Sequence, residues 1–124
     1  MAGRLGAVVS LGVEIDPDCR ENLAENRDLN GMAPSPFFCI GGIETIRAET
    51  GFDVIIMNMI YNESAPLLQQ CTGLLKPDGI LIWSGILVDD HGQAVTAAES
   101  SGLTKITSSV ENEWWCGIFA SSKT

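Results

Sequence analysis

A chain of 124 residues, 45% of them hydrophobic, is long enough to bury the core of one domain. Sixteen acidic residues against seven basic ones give a formal net charge of −9 at pH 7, which argues against direct nucleic-acid binding through a basic face. The same charge is compatible with a basic protein partner but does not require one, because acidic surfaces also serve solubility.

The sequence lacks the features of exported, membrane-spanning and zinc-binding proteins. No apolar run approaches the ~20 residues of a membrane span, and the first residues lack the apolar core of a secretory signal. Widely spaced cysteines without a C-x-x-C pair, together with a single histidine, argue against a structural zinc site. We therefore expect a cytoplasmic protein with no membrane partner and no metal.

The first part of the chain predicts strands and helices in alternation. A buried strand is predicted at 7–14 and ends on the acidic Glu14. A helix is predicted at 16–30, because Asp16 is a good N-cap for it. The next predicted elements are a short strand at Phe37–Ile40 and one or two helical turns at Ile43–Glu49.

The stretch 52–88 is the unit around which the rest of the chain is arranged. Its apolar run Phe52–Asn58 predicts a strand buried on both faces. Apolar residues at helical spacing over 67–75 predict a helix that stops at Lys76–Gly79, and Ile80–Trp83 predicts a second buried strand. Strand, helix and strand in so short a stretch predict a right-handed crossover that joins two parallel strands.

The end of the chain predicts a helix followed by a hairpin. The helix is predicted at Asp89–Ser101, it is ended by Gly102, and its inward-facing residues are Val95, Ala97 and Ala98. The strands at Leu103–Val110 and Trp114–Ser121 are too close in sequence for a parallel crossover, so they form an antiparallel hairpin. An antiparallel last strand disfavours the all-parallel dinucleotide-binding arrangement, and with it an NAD-dependent oxidoreductase.

Polar residues lie where two of the predicted strands end, and ligands of open α/β sheets bind beyond such strand ends. The carboxylate of Glu14 could accept hydrogen bonds from both hydroxyls of a ribose, or could be only a solvent-facing strand end. The carboxamide of Asn58 could orient an amine nucleophile, or serve as a turn or cap residue. Ser84 and His91 do not indicate a hydrolase, because the sequence has no G-x-S-x-G motif.

Four stretches taken together resemble the catalytic domain of the ribosomal protein L11 methyltransferases, which are class I enzymes that use S-adenosylmethionine. The stretches are VSLGVEIDPDCRENLAENRDLNG, FDVIIMNMI, LLKPDGILIWSGIL and the late Glu113-Trp114. They occur in the expected order and extend over nearly all of residues 9–121.

The resemblance implies a doubly wound, mostly parallel α/β sheet of the class I methyltransferase type, with an antiparallel C-terminal strand. It implies that Glu14 and the adjoining Ile15 bind the cofactor at its ribose. It also implies that Asn58 is both a cofactor-binding and a catalytic residue, beside the transferred methyl group. The implied reaction is in-line displacement at a sulfonium by an unprotonated amine of a basic, L11-like protein, aligned without a metal.

One part of the family pattern has no counterpart in this sequence. Nothing like the glycine-rich cofactor loop, G-x-G-x-G, precedes Val8, and the strand before that loop is missing with it. The resemblance therefore predicts that residues 1–124 form a partial methyltransferase domain, with a vacant place about 10 Å wide between the strands that end at Glu14 and Asn58. We expect such a chain to bind cofactor weakly or not at all, and to self-associate through its exposed sheet edge.

Two alternatives stay open at this point. The chain could belong to a methyltransferase of the same fold that acts on another amine. It could also be a non-catalytic α/β scaffold that dimerises through the open edge of its sheet.

Overall fold

The computed structural model describes residues 11–14, 37–40, 42–47 and 51–123. The chain divides into two compact units, Met1–Thr45 and Ile46–Thr124. The predicted helix at 16–30 and the predicted cofactor-binding residue Ile15 lie outside the described residues. No helix of the described ranges has the length and apolar character needed to cross a membrane.

The first unit contains a parallel pair of short strands. Strand β1 (Leu11–Glu14) pairs with β2 (Phe37–Ile40), and Glu14 lies opposite Ile40 at the end of the pair. Both strands were predicted, although the predicted strand at 7–14 is described only from Leu11 onward. Because parallel strands end at the same edge of a sheet, Glu14 lies at the carboxyl end of its pair, as the sequence predicts.

A short 3₁₀ turn at Ile43–Thr45 follows β2, and the Thr45 amide donates to the Gly42 carbonyl at 3.1 Å. The sequence predicts one or two helical turns at Ile43–Glu49, and the described part of that range contains this single tight turn. Residues 48–50 lie outside the described residues.

The second unit is built on a four-stranded mixed sheet in the order β3-β4-β6-β5. Its strands are β3 (Phe52–Asn58), β4 (Leu75–Leu87), β5 (Leu103–Glu111) and β6 (Trp114–Ser121). Strands β3 and β4 are parallel, whereas β6 lies antiparallel between β4 and β5. This arrangement confirms the predicted parallel crossover, the predicted closing hairpin and the antiparallel last strand.

The hairpin between β5 and β6 turns tightly at Asn112 and Glu113. Glu111 pairs with Trp114, so β5 is one residue longer than predicted. Asn112 has a φ of 57°, in the left-handed region that asparagine tolerates better than most residues. The turn thus uses a residue whose short polar side chain suits a sharp reversal of the chain.

Three α-helical segments lie in this unit. They are α1 (Tyr61–Ser64), α2 (Leu68–Leu74), which a 3₁₀ turn at Ala65–Leu67 joins to α1, and α3 (His91–Ser100), which a 3₁₀ turn at Val88–Asp90 precedes. Gly102 ends α3 with a φ of 90°, as a C-terminal glycine does. Ala98 is fully buried as predicted, and so is Ala94, whereas Val95 and Ala97 are half-buried.

The expectation that Phe52–Asn58 is buried on both faces is wrong. Met57 is 6% exposed, but Val54 is 49% and Ile56 is 62% exposed. Strand β3 is the edge of its four-stranded sheet, and the described helices pack on the face that carries Met57 and Trp83. An apolar run therefore indicated a strand correctly but overstated how much of it is covered.

The expected stop at Lys76–Gly79 is also wrong in its details, because α2 ends at Leu74 and β4 already begins at Leu75. Leu75 pairs with Phe52 and Ile80 with Val54, so the intervening residues form an irregularity within the strand. The turn-forming residues thus interrupt the register of β4 instead of preceding the strand.

Candidate active site

The candidate site lies where β3 ends beside the parallel strand β4. Asn58, the last residue of β3, pairs with Ser84 of β4 and is exposed to solvent. Both residues line an open cleft of about 430 Å³. Its lining residues are Asn58, Met59, Ile60, Ser84, Gly85 and Trp114. The parallel register thus places Asn58, a site residue that the sequence predicts, beside Ser84 and Gly85 of β4.

Gly85 allows the end of β3 to lie close to β4. Its φ is 82°, and a Cβ atom built on it would lie 2.8 Å from the Oδ1 atom of Asn58. The same Cβ would lie 2.9 Å from the amide nitrogen of Met59 and 3.0 Å from its carbonyl oxygen. A side chain at position 85 would therefore displace the carboxamide of Asn58 or the backbone that follows it.

The residues after Asn58 are held to β4 by their backbone and by a ring contact. We call Asn58 and the three residues that follow it the Asn58–Tyr61 segment. The Met59 amide donates to the Ser84 carbonyl at 3.1 Å. The ring of Tyr61 stacks on that of the fully buried Trp83, with the centroids 6.2 Å apart and an interplanar angle of 23°. The backbone next to the exposed Asn58 is therefore held by contacts with a buried part of the sheet.

The chemistry that the cleft offers is hydrogen bonding and apolar contact. The Asn58 carboxamide provides one acceptor oxygen and two N–H donors. Ile60 is 52% and Trp114 is 44% exposed, so the cleft has an apolar wall beside this polar group. Among the described residues that line it, none carries a carboxylate, an imidazole or an amine. Such a site can align reacting groups, but its lining residues do not supply a strong general base.

The other predicted candidates are Glu14 and His91. Glu14 ends β1 in the first unit, where the structure describes its backbone, and its predicted meeting with Asn58 across one cofactor stays a prediction. His91 begins α3, and its Nδ1 atom lies 2.7 Å from the Val88 carbonyl oxygen. His91 does not line the cleft, so Ser84 has no histidine partner there. In the described part of the chain, no cluster of His, Cys, Asp and Glu side chains is arranged to hold a metal ion.

Sequence reasoning missed one feature of the site. Ser64 is completely buried and accepts a hydrogen bond from the Trp83 indole at 2.8 Å. In the sequence, Ser64 precedes Ala65-Pro66 at the start of a helical stretch, where a serine ordinarily indicates only a turn or a cap. No local signal distinguishes a serine that caps a helix from one that binds a tryptophan 19 residues later.

Comparison with solved structures identifies the fold. The chain is similar to a ribosomal protein L11 methylase from Lactobacillus delbrueckii subsp. bulgaricus, with a TM-score of 0.87 and 24% identity over 99% of this chain and 62% of that one. It is similar to a putative methyltransferase from Thermoplasma acidophilum, with a TM-score of 0.74 and 12% identity over 92% of this chain and 57% of that one. The fold is that of the class I methyltransferases, as the sequence predicts.

Sequence comparison narrows the class to one family. The model of the ribosomal protein L11 methyltransferase (PrmA) family matches residues 1–122. The chain belongs to this family. It is 34% identical over 118 residues to a ribosomal protein L11 methyltransferase of Geobacter sp. (strain M21), which covers 95% of this chain and 37% of that protein. A relative of the same name from Pseudomonas aeruginosa is 32% identical over 114 residues, covering 92% of this chain and 37% of its own length. The chain thus spans little more than a third of the length of these relatives.

Proposed function

We propose that this chain is the greater part of the catalytic domain of a protein methyltransferase that uses S-adenosylmethionine and methylates an amine of a basic, L11-like protein in the cytoplasm. The single observation that carries the proposal is the cleft in which Asn58, at the carboxyl end of β3, meets Gly85 of the parallel strand β4. This is the edge at which open α/β sheets bind their ligands.

The residues of the cleft suit this cofactor. When bound, S-adenosylmethionine supplies an electrophilic methyl group on a sulfonium sulfur. The carboxamide oxygen of Asn58 can accept a hydrogen bond from the incoming amine and so direct its lone pair. The amine then forms the new C–N bond as the C–S bond breaks, and its proton passes to solvent. The apolar wall of Ile60 and Trp114 suits a methyl group better than it suits water.

We assign the ribose of the cofactor to Glu14, with Ile15 beside it. A carboxylate at the end of a strand can accept hydrogen bonds from both ribose hydroxyls. The place of Glu14 at the carboxyl end of the β1-β2 pair supports this assignment. The partner is a basic protein, because the relatives carry the name of a ribosomal protein methyltransferase and this chain has a net charge of −9. Nucleic acid and membrane have no direct part.

The glycine-rich loop matters for the strength of cofactor binding. Such a loop lets the backbone approach the methionine part of the cofactor, and no G-x-G-x-G precedes Val8 in this sequence. Residues 1–124 alone therefore form a partial domain that binds S-adenosylmethionine weakly or not at all. Calorimetric titration of the chain with S-adenosylmethionine tests this statement, and a micromolar dissociation constant would contradict it.

The activity itself is best tested on what we call the extended chain. In it, the region that precedes the matched residues of the Geobacter relative is joined to the N terminus of this chain. We expect the extended chain to transfer radiolabelled methyl groups to purified ribosomal protein L11. An extended chain that folds and binds S-adenosylmethionine but labels no protein would contradict the proposed substrate class.

A different amine acceptor is the first alternative, and the same assay distinguishes it. Faster transfer to free amines or to an unrelated basic protein than to L11 would favour a methyltransferase of the same fold with another substrate. The cleft gives this alternative its support, because the lining residues that the structure describes offer a general amine site and include no charged group that would select one protein.

The second alternative is a non-catalytic scaffold that dimerises through the edge of its sheet. The exposure of Val54 and Ile56 on the edge strand β3 supports it. Size-exclusion chromatography with light scattering, together with cofactor titration, distinguishes the scaffold from the methyltransferase. A stable dimer without any affinity for S-adenosylmethionine, even in the extended chain, would favour the scaffold.

A further inference from the structure

A buried hydrogen-bond relay connects β4 to the residues that follow Asn58. The indole N–H of Trp83 donates to the Oγ atom of Ser64 at 2.8 Å, and both residues are 0% exposed. The Ser64 hydroxyl in turn lies 2.8 Å from the Ile60 carbonyl oxygen. The carbonyl oxygens of Met59 and Tyr61 are farther away, at 3.4 and 3.5 Å, so the single hydroxyl proton goes to Ile60.

The Ile60 carbonyl is a point at which several hydrogen bonds meet. It accepts from the backbone amides of Ser64 and Glu63, at 3.0 and 3.2 Å, in addition to the Ser64 hydroxyl. Because the Trp83 indole polarises that hydroxyl from the other side, the bonds in this chain reinforce one another. The carbonyl is therefore fixed from the helix and from the sheet at once.

The relay acts on the same segment as the backbone bond at the strand end. Trp83 is the neighbour of Ser84, whose carbonyl accepts the Met59 amide and which pairs with Asn58. Two successive residues of β4 thus hold the Asn58–Tyr61 segment at both of its ends. Asn58 itself is exposed, so its direction depends on the backbone that these contacts fix.

An ordinary serine in a helix lacks this connection. The Ser101 hydroxyl lies 2.9 Å from the Ala97 carbonyl, which is the same four-residue back-bond that Ser64 makes to Ile60. Ser101, however, is only half-buried at the end of α3 and does not line the cleft. It therefore provides a matched control for the loss of one hydroxyl.

We propose that Ser64 and Trp83 are positioning residues, which hold the Asn58–Tyr61 segment so that the Asn58 carboxamide faces the cleft. The catalytic consequence rests on the proposed function, in which Asn58 directs the amine. The structural consequence does not, because it concerns only how firmly the segment is held to β4.

The first test is amide hydrogen exchange in the chain itself. The exchange rate of the Met59 amide is measured relative to the exchange rates of the β6 amides. In Ser64→Ala we expect this relative rate to rise about tenfold, because the Asn58–Tyr61 segment loses the hydrogen bond from Trp83 that connects it to the sheet. Ser101→Ala should leave Met59 unchanged. An unchanged Met59 in Ser64→Ala would overturn the proposal.

A double variant separates positioning from stability. Ser64→Ala alone leaves the Trp83 indole buried without an acceptor, which destabilises the fold and can prevent it from forming. Trp83→Phe together with Ser64→Ala removes both partners, so that no unpaired donor remains. We expect this double variant to keep the fast exchange of Met59 although no buried donor is left without an acceptor. Recovery of slow exchange together with stability would overturn the proposal.

The second test is the kinetics of the extended chain. In Ser64→Ala we expect kcat for methyl transfer to fall about tenfold while KM for S-adenosylmethionine stays within twofold, because alignment is lost and cofactor contacts are kept. Ser64→Thr, which restores a hydroxyl, should recover part of the rate.

An unchanged kcat in Ser64→Ala would overturn the catalytic consequence. Absence of methyl transfer in the unsubstituted extended chain would instead count against the proposed function, and the Met59 exchange would still decide the positioning role.

Discussion

The Oδ1 atom of Asn58 occupies the space beside Gly85 that a side chain would need, since a Cβ atom at position 85 would lie 2.8 Å from it. Asn58 ends β3 and Gly85 lies in the neighbouring parallel strand β4, so the carboxamide approaches the backbone of β4 directly. The glycine is as necessary to the candidate site as the asparagine, although it makes no hydrogen bond through a side chain.

Substituting Gly85 should damage both the fold and the site. In Gly85→Ala the residue keeps a φ of 82° only at a cost, and the new methyl group presses on Asn58 and Met59. We expect the free energy of unfolding to fall by about 1–2 kcal/mol. Urea denaturation measures the loss, and in the extended chain the methyl-transfer rate should fall with it.

The matched control for this substitution is Gly92→Ala. Gly92 lies in α3, and a Cβ atom built on it would meet nothing within 4 Å. Alanine is the better helix former, so we expect stability to rise by about 0.5–1 kcal/mol. Equal effects of the two substitutions would show that the close approach of β3 to β4 does not depend on a glycine at position 85.

A second glycine supports the aromatic core instead of the cleft. A Cβ atom on Gly117 would meet the rings of Trp115 and Phe119, with 2.7 Å to the Cε2 atom of Phe119. These rings lie in the buried face of the sheet, so Gly117→Ala should lower the free energy of unfolding by about 1–3 kcal/mol. Thermal unfolding checks this, with Gly73→Ala as a control, because nothing lies within 4 Å of a Cβ atom there.

Lys123 holds the end of α2. Its Nζ atom donates to the carbonyl oxygens of Leu75 at 2.7 Å and Gly73 at 3.0 Å, where the helix ends and β4 begins. A cation at a helix C-terminus is favourable, so Lys123→Met should cost about 1 kcal/mol in urea denaturation. Lys76→Met removes the same charge from a surface ion pair with Asp53, whose side chain is 82% exposed, and should cost less. A larger loss in Lys76→Met would contradict this.

The buried Cys71 thiol makes the free energy of unfolding depend on pH in the alkaline range. Burial raises its pKa from 9.0 to about 11, because the thiolate is poorly solvated in the core. As the pH rises, the Cys71 thiol ionises in the unfolded chain before it ionises in the folded one. The contribution of the buried thiol to stability is therefore complete below pH 9 and is lost as the pH rises towards 11. The loss approaches about 1.4 kcal/mol per pH unit within that window.

The measurement is urea denaturation at a series of pH values between 8 and about 10.5. The unsubstituted chain should lose more stability over this range than Cys71→Ala, in which no thiol remains at that position to ionise. Parallel curves for the two chains would contradict the assignment. Burial also raises the pKa of Cys116, which is only half-buried, so thiol reagents should modify Cys116 before Cys71.

The elements of the second unit could be read from the sequence because their signals are local. The apolar run before Asn58, the close spacing of the last two strands and the glycine after α3 each specify their own structure. The position of Asn58 at a strand end followed from the same signals. The same signals predict that this strand lies parallel to the strand of Ile80–Trp83, whereas the structure supplies the pairing of Asn58 with Ser84.

What the sequence did not predict depends on contacts between distant residues. The exposure of Val54 and Ile56 is decided by what covers one face of the sheet, which an apolar run does not specify. The irregularity at Lys76–Gly79 depends on the register between two strands. The bond between Ser64 and Trp83 depends on how α1 packs against β4, and no pattern within either element encodes it.

The account depends above all on the carboxamide of Asn58, and its most direct test is the rate of methyl transfer by the extended chain when this residue is replaced. In Asn58→Ala we expect kcat to fall about 100-fold, with a smaller change in KM for S-adenosylmethionine, because the amine is no longer aligned. Asn62→Ala, which removes the same group from an exposed position on α1, should leave kcat unchanged. A kcat in Asn58→Ala equal to that of the unsubstituted extended chain would contradict the account.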